Sequence, residues 1–144
     1  MAHVSAGSVY QRATLVALAI AFVVGLLYSN TLASPFVFDD SFNIVENRFI
    51  RITQLGIGDL YRAAFESRLD RPVAYLSFAL NYYVGGYEVA GYHVVNIVIH
   101  GINGILVYLL ALFAFRRHPG ARESLAAWMA LVAALVFVAH PLAV

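Results

Sequence analysis

Long apolar runs alternate with one long polar segment in this chain, and the runs predict its main elements. No residue between Arg12 and Asp39 carries a formal charge, and the run 13–32 is rich in Ala, Val and Leu. A helix rises about 1.5 Å per residue, so this run can cross a hydrocarbon core of roughly 30 Å. Apolar runs at about 89–115 and 124–144 predict a second and a third membrane span.

The first apolar run has an alternative interpretation as a cleaved signal peptide. One basic residue precedes the run, and small residues follow it at Ala33 and Ser34. The run is long for a signal peptide and further apolar runs follow, which favours a retained span. Pro35 cannot donate a backbone hydrogen bond and restrains Ser34, so it predicts the end of the helix.

The segment of about 36–88 is polar and mixed, and it forms a large predicted loop between the first two spans. It holds five Arg and seven acidic residues, and a loop of this length can carry structure and function. Helical pieces are predicted around Ile52–Phe65, with Gly56 and Gly58 weakening the first turn. The aromatic stretch Val73–Val84 is too short to cross a bilayer and predicts a helix in the membrane interface.

The distribution of arginine predicts the orientation of the chain. Arg116, Arg117 and Arg122 cluster in the short turn between the second and third spans, which predicts a cytoplasmic turn. The N-terminus is then also cytoplasmic and the loop 36–88 is extracytoplasmic. The loop holds more arginines in total, but three basic residues in seven give the turn the higher density.

Composition supports a membrane protein and excludes several kinds of site. Of 144 residues, 62% are hydrophobic and 12% are charged, whereas soluble domains carry about 25% charged residues. The mean hydropathy is +0.78. A net charge of +1 gives no bulk field that attracts nucleic acid, and the absence of Cys excludes disulfides and thiolate metal sites. Because the sequence stops within an apolar run, we expect it to be the N-terminal piece of a longer protein.

Two adjacent carboxylates, Asp39 and Asp40, stand where the chain leaves the first predicted span. Carboxylates this close influence each other's ionisation, which suits one of them to general-base chemistry or to binding a divalent metal. The alternative is a solvated start of the loop, with one Asp capping a short helix.

A polar stripe marks the second predicted span. His93, Asn96, His100 and Asn103 are spaced by three, four and three residues, which places them on one helical face. Polar groups within a span face a bundle interior or a wet cavity, or they join helices by hydrogen bonds. Joining helices is the favoured interpretation for the asparagines, whereas His93 suits either role. The two histidines lie roughly 10 Å apart along the axis, so they do not share a zinc ion unaided.

Two further basic positions are candidates for chemistry. Arg71 precedes Pro72, and its guanidinium fits the oxygens of a lipid phosphate. A salt bridge from Arg71 to Asp70 or Glu66 is the alternative. The pair His140-Pro141 lies at the predicted outer end of the third span and is suggestive only.

The order of these motifs resembles a known family. After the first span come F-x-F-D-D-x-x-x-I-x-x-N from Phe36, R-P-x-x-x-x-S-F-x-L-N-Y from Arg71, and Y-H-x-x-N-x-x-x-H-x-x-N from Tyr92. A basic turn and a span ending in A-H-P follow. This pattern is similar to membrane glycosyltransferases of the GT-C type, closest to the transmembrane and tetratricopeptide-repeat O-mannosyltransferase-like proteins and their bacterial relatives. The resemblance covers residues 35–141.

The resemblance implies an all-α, GT-C-like transmembrane helix bundle whose first extracytoplasmic loop carries interface helices. It implies a sugar donor on a polyprenyl phosphate, a protein or glycan acceptor, and Asp39 or Asp40 as the catalytic base. Arg71, His93 and Asn96 are then candidates for substrate binding. No cofactor is certain, although a divalent metal is possible. All nine basic residues are Arg and none is Lys, which favours a bacterial source, so the expected location is the bacterial inner membrane.

Two other classes of protein remain open at this point. The chain could form the first spans of a transporter, with the polar stripe lining a substrate path. It could also be a small non-catalytic membrane protein. His140-Pro141 is followed by Leu-Ala-Val, where relatives of the transferases usually continue with an acidic residue.

Overall fold

A computed structural model of the chain describes residues 6–68, 70–120 and 122–140, and it is helical throughout with no strand among them. The five α-helices are α1 (Ala6–Tyr28), α2 (Ile57–Phe65), α3 (Pro72–Gly85), α4 (Val89–Arg116) and α5 (Glu123–Ala139). Shorter helical turns occur at Ser29–Ala33, Ser41–Val45 and Arg48–Ile50. The chain divides into two compact units, one formed by residues 30–95 and the other by the segments before and after them.

Two helical segments are long and apolar enough to cross a membrane, judged by length and composition. These are Ala13–Ala33, which includes the 3₁₀ turn after α1, and Val89–Arg116. The helical part ends two residues before Pro35, as the sequence predicts. The third apolar helix, α5, has 17 described residues, and the end of the predicted third span lies outside the described residues. The assignment of spans at 13–32, 89–115 and 124–144 stays a prediction.

Small residues form the packed face of α5 in the unit that contains the long helices. Ala126, Ala130, Ala134 and Val138 recur every fourth residue, and all four are buried. Ala130, Ala134 and Val138 of this face form one buried cluster with Ile20 and Val24 of α1 and Tyr108 of α4. Small side chains let helix backbones approach closely, which is how helices associate in lipid.

The outward faces of the same helices are apolar. Phe22, Leu110 and Trp128 are 66%, 69% and 66% exposed. Contiguous exposed apolar surface is rare on soluble monomers and marks contact with lipid or with protein. Together with the two long apolar segments, these faces indicate a membrane protein.

The unit of residues 30–95 has its own core beneath the polar segment. Its buried residues come from the turns Ser41–Val45 and Arg48–Ile50, from the segment between that turn and α2, from α2 and α3, and from the start of α4; they are Ile44, Ile50, Ile52, Ala63, Tyr75, Ala79 and Tyr92. The segment predicted as a large loop is therefore a folded helical unit.

Two predictions about the helices of this unit are tested by the structure. Of the helical pieces predicted around Ile52–Phe65, α2 covers Ile57–Phe65, whereas residues 52–55 before Gly56 are not helical. Gly56 is the N-cap with extended backbone angles, and Ile52 is buried in the core outside any helix. The stretch Val73–Val84 is helical within α3, whose 14 residues span about 21 Å, which is short of a bilayer core.

Candidate active site

The two adjacent acids lie in a tight turn, here called the acidic turn, which comprises residues 37–40. The Asp40 N–H donates to the Val37 carbonyl at 3.1 Å. Asp40 Oδ2 accepts in return from the Val37 N–H at 3.0 Å. The Asp40 carboxylate therefore closes the turn rather than capping the helical turn that follows, where it makes no side-chain cap.

Phe38, at the centre of the acidic turn, has a left-handed backbone. Its φ is +50°, and it is the one non-glycine residue with positive φ in the described part of the chain. Such a conformation costs about 1–2 kcal/mol for a residue with a side chain. Strained backbone persists where its surroundings enforce it, often at functional sites. The sequence shows no sign of this feature, because the strain comes from closing the turn.

The Asp39 carboxylate is exposed. A chain of two hydrogen bonds, here called the relay, connects it through Asn43 to Tyr75. The Tyr75 hydroxyl in α3 donates to Asn43 Oδ1 at 2.7 Å, and Asn43 Nδ2 donates to Asp39 Oδ2 at 3.3 Å. The Asn43 N–H also donates to the Asp39 carbonyl at 3.0 Å. Because Tyr75 is buried, the relay connects the exposed acid to the core of the unit.

The helical turn Ser41–Val45, which carries Asn43, is wider than an α-helix, with Glu46 N–H donating to the Ser41 carbonyl at 2.8 Å. Wide turns of this kind are frequent at functional sites. Two side chains hold its end, because Arg51 and Tyr87 donate to the Val45 carbonyl at 2.8 and 3.1 Å. Sequence analysis missed Asn43, Tyr75 and Tyr87, since these contacts join residues far apart in the chain.

The segment before the acidic turn is fixed to the start of α4. His93 Nε2 lies 3.0 Å from the Ser34 carbonyl, which requires the tautomer that is protonated on Nε2. Phe36 meets the ring of Tyr92 edge to face, with centroids 5.2 Å apart. The candidate His93 therefore holds the chain that leads into the acidic turn.

The remaining members of the polar stripe on α4 do not act together. His100 is buried, and its Nε2 lies 3.1 Å from the Val138 carbonyl. Its ring also packs against Tyr28 and Phe137. Asn96 and Asn103 are exposed. Among the described residues, no hydrogen bond from either asparagine to another helix is seen, so a role of Asn96 or Asn103 in joining helices stays a prediction.

Arg71 is exposed at the N-cap of α3, directly before Pro72 in the first turn. The salt bridge proposed for it with Asp70 is wrong, because Asp70 lies 3.8 Å from Arg68 instead. Glu66 was the other acid considered as a partner of Arg71. Among the described residues Glu66 makes no ion pair, and it lines a cavity.

That cavity, of about 530 Å³, lies in the same unit. Three arginines line it, Arg48, Arg51 and Arg62, together with the acids Asp59 and Glu66. Its size suits a small polar ligand or part of a larger one. As for a metal, no three His, Asp or Glu side chains come together in the parts of the chain that the structure describes.

His140, the first residue of the pair named with Pro141, ends α5 as an exposed C-cap residue. Its carbonyl accepts from the Tyr28 hydroxyl at 3.4 Å. Pro141 lies outside the described residues.

Comparison with known proteins connects this chain to one group of enzymes. The chain is 36% identical over 138 residues to protein O-mannosyl-transferase TMTC4 of Mus musculus, a match that covers 86% of the chain and 18% of the relative. It is 38% identical over 128 residues to the protein of the same name from Homo sapiens, covering 79% of the chain and 17% of the relative.

A third relative is protein O-mannosyl-transferase Tmtc1 of Drosophila melanogaster, at 35% identity over 132 residues, or 85% of the chain and 14% of the relative. No family model matches the chain, and no solved structure matches it. The chain spans less than a fifth of the length of these relatives. Over most of its own length, the chain is a homologue of the protein O-mannosyl-transferases of the TMTC group.

Proposed function

We propose that this chain forms part of an integral-membrane glycosyltransferase of the GT-C type, which transfers mannose from a polyprenyl-phosphate carrier to a hydroxyl group of an extracytoplasmic protein. The observation that carries the proposal is the homology to proteins named protein O-mannosyl-transferases, over the stretch that contains the acidic turn. The membrane domain, the bacterial inner membrane and a cytoplasmic N-terminus belong to the same proposal.

In this proposal Asp39 is the general base, because its carboxylate is exposed while that of Asp40 closes the turn. Asp39 takes the proton of the acceptor hydroxyl as the hydroxyl oxygen forms a bond to the anomeric carbon. The bond from that carbon to the phosphate oxygen breaks, and the polyprenyl phosphate leaves with the electron pair. The relay from Tyr75 through Asn43 keeps the Asp39 carboxylate oriented for this step.

Apolar side chains around Asp39 support a site at a membrane surface. Val37, Phe38 and Phe42 are 52%, 91% and 69% exposed. A polyprenyl donor lies in the bilayer with its phosphate in the interface, so a base placed there needs an apolar rim.

The exposed guanidinium of Arg71 is the group assigned to the leaving phosphate. His93 contributes by holding Ser34 in place. Asn96 is proposed to bind substrate because it is an exposed residue on α4 whose amide can form hydrogen bonds.

A transfer assay tests this function in the full-length protein. Membranes that contain it are given an acceptor peptide rich in Ser and Thr together with mannosyl-phosphoryl-polyprenol or, separately, a nucleotide-linked mannose. We expect mannose on the peptide with the lipid-linked donor alone. Transfer from the nucleotide sugar in the absence of polyprenyl phosphate would contradict the proposed donor. Absence of transfer from either donor would contradict the enzyme assignment.

A further inference from the structure

The turn between α4 and α5 is compact, with tight backbone hydrogen bonds and a glycine in the left-handed conformation. Backbone bonds from Arg117 to Ala114 and from His118 to Phe115, both of 3.2 Å, tighten the end of α4. Gly120 then adopts a φ of +79°, in the left-handed region that favours glycine. The result is a compact turn directly at the end of a helix long enough to span a membrane.

An open cavity of about 440 Å³ lies against this turn. Its walls are apolar and come from Phe115 at the end of α4 and from Leu125 and Met129 on α5. Its polar lining includes His118 and Arg122 but no acidic residue. The cavity is therefore amphipathic, with an apolar body and a basic edge.

The charges around the cavity are unbalanced in favour of positive ones. The acid of this region, Glu123, is paired with Arg116 at 2.5 Å. The Arg117 guanidinium lies 3.9 Å from the centre of the Phe113 ring. Arg122 is exposed and makes no side-chain cap for α5. In the described chain, ion pairs join only Arg116 to Glu123 and Arg68 to Asp70, so the charge of Arg122 is left for another anion.

We propose that this cavity binds an anionic phospholipid, with its phosphate on Arg122 and an acyl chain along Leu125 and Met129. An anion in water would gain nothing from the apolar walls, and a neutral lipid would gain nothing from the basic edge. A lipid with a negative headgroup satisfies both, and it is abundant where basic turns meet the cytoplasmic leaflet. The first backbone N–H groups of α5 add positive potential beside Arg122.

Lipid binding to the full-length protein in detergent tests this site without any transfer assay, so its failure is independent of the proposed function. The probes are phosphatidylglycerol, phosphatidylcholine with the same acyl chains, and glycerol phosphate. Native mass spectrometry counts bound lipid, and the thermal unfolding midpoint follows the same titration. We expect phosphatidylglycerol to bind and raise the midpoint at concentrations where the other two have no effect.

Variants then assign the binding to this cavity. Arg122→Gln should weaken phosphatidylglycerol about fivefold, the effect of one basic residue near an anionic headgroup. Arg122→Lys should retain the preference for the anionic lipid. Arg68→Gln, which removes an exposed arginine that lines neither cavity from the other unit, is the matched control and should bind as the parent does.

Three results would overturn the proposal. Phosphatidylcholine could bind as tightly as phosphatidylglycerol, or Arg122→Gln could bind no more weakly than Arg68→Gln. Glycerol phosphate alone could bind as tightly as the lipid, which would make this a site for a free phosphate and not for a phospholipid.

Discussion

Replacing Gly104 by alanine should expose how closely α4 approaches its neighbours. A Cβ atom at Gly104 would lie 3.1 Å from Ile20 Cγ2 on α1 and closer still to Val138 Cγ1 on α5. Both neighbours are buried and branched at Cβ, so neither can move aside by rotating the far end of a flexible side chain. Overpacking of this kind typically costs about 1–3 kcal/mol.

Gly101 is the matched control, because it lies one turn earlier in the same helix. Apart from the adjoining backbone of α4 itself, a Cβ atom there would have no neighbour within 4 Å. Exchange of Gly for Ala in a helix favours the helix by about 1 kcal/mol, and this term is shared by both variants. The difference between Gly104→Ala and Gly101→Ala therefore isolates the packing cost, and we expect it to be about 1–3 kcal/mol.

The measurement is the free energy of unfolding of both variants in detergent, obtained from denaturant titrations followed by circular dichroism. We expect Gly101→Ala to match or exceed the parent and Gly104→Ala to fall below Gly101→Ala. Equal stability of the two variants would refute the close approach of α4 to α1 and α5. The outcome does not depend on any enzymatic activity.

Two further predictions concern the acidic turn and the topology. Tyr75→Phe removes the hydroxyl that orients Asn43, so the transfer rate should fall about two- to tenfold, the value of one hydrogen bond, with the KM for donor unchanged. Tyr83→Phe, at an exposed position in the same helix, should transfer at the parental rate, and an equal loss in both would remove the relay from the account. Single cysteines at Ser67 and Gly120 should react differently with an impermeant thiol reagent on intact cells. Labelling at Ser67 alone is expected, whereas labelling at Gly120 alone would reverse the topology.

The parts of the fold that depend on local pattern could be predicted from the sequence. The apolar run at 89–115 matches α4, the run at 13–32 is helical although α1 begins already at Ala6, and Pro72 marks the start of α3. Pro35 placed the end of the first helical segment. Each of these features is decided within a few residues by helix length, apolar content or the missing N–H of proline.

The contacts that shape the candidate site depend on residues distant in sequence. The bond from Tyr75 to Asn43 joins residues 32 positions apart, and no periodicity reports such a pair. The left-handed backbone of Phe38 likewise follows from how the acidic turn closes. The sequence places Asp70 next to Arg71, yet the ion pair of Asp70 is with Arg68, while Arg71 is the exposed N-cap residue of α3.

The polar stripe shows how a correct helical face can still mislead. At about 100° per residue, His93 and His100 lie within about 20° of each other, and Asn96 and Asn103 lie about 40–80° to one side. A stripe this wide has two edges, one formed by the two histidines and the other by the two asparagines. The histidine edge reaches backbone carbonyls, while the asparagine edge is exposed. Spacing alone defines the stripe but not the neighbour that covers each edge.

The central claim is that Asp39 is the base of a glycosyl transfer, and Asp39→Asn in the full-length protein tests it most directly. The matched variant is Asp40→Asn, which keeps an oxygen that can accept the Val37 N–H and so preserves the acidic turn. Transfer from a polyprenyl-phosphate mannose is measured on both purified variants, with donor binding measured in parallel. Loss of a general base typically costs about 10²- to 10⁴-fold in rate, so Asp39→Asn should fall by that factor with donor binding intact, and Asp40→Asn should lose far less. Transfer by Asp39→Asn at the parental rate would contradict the account.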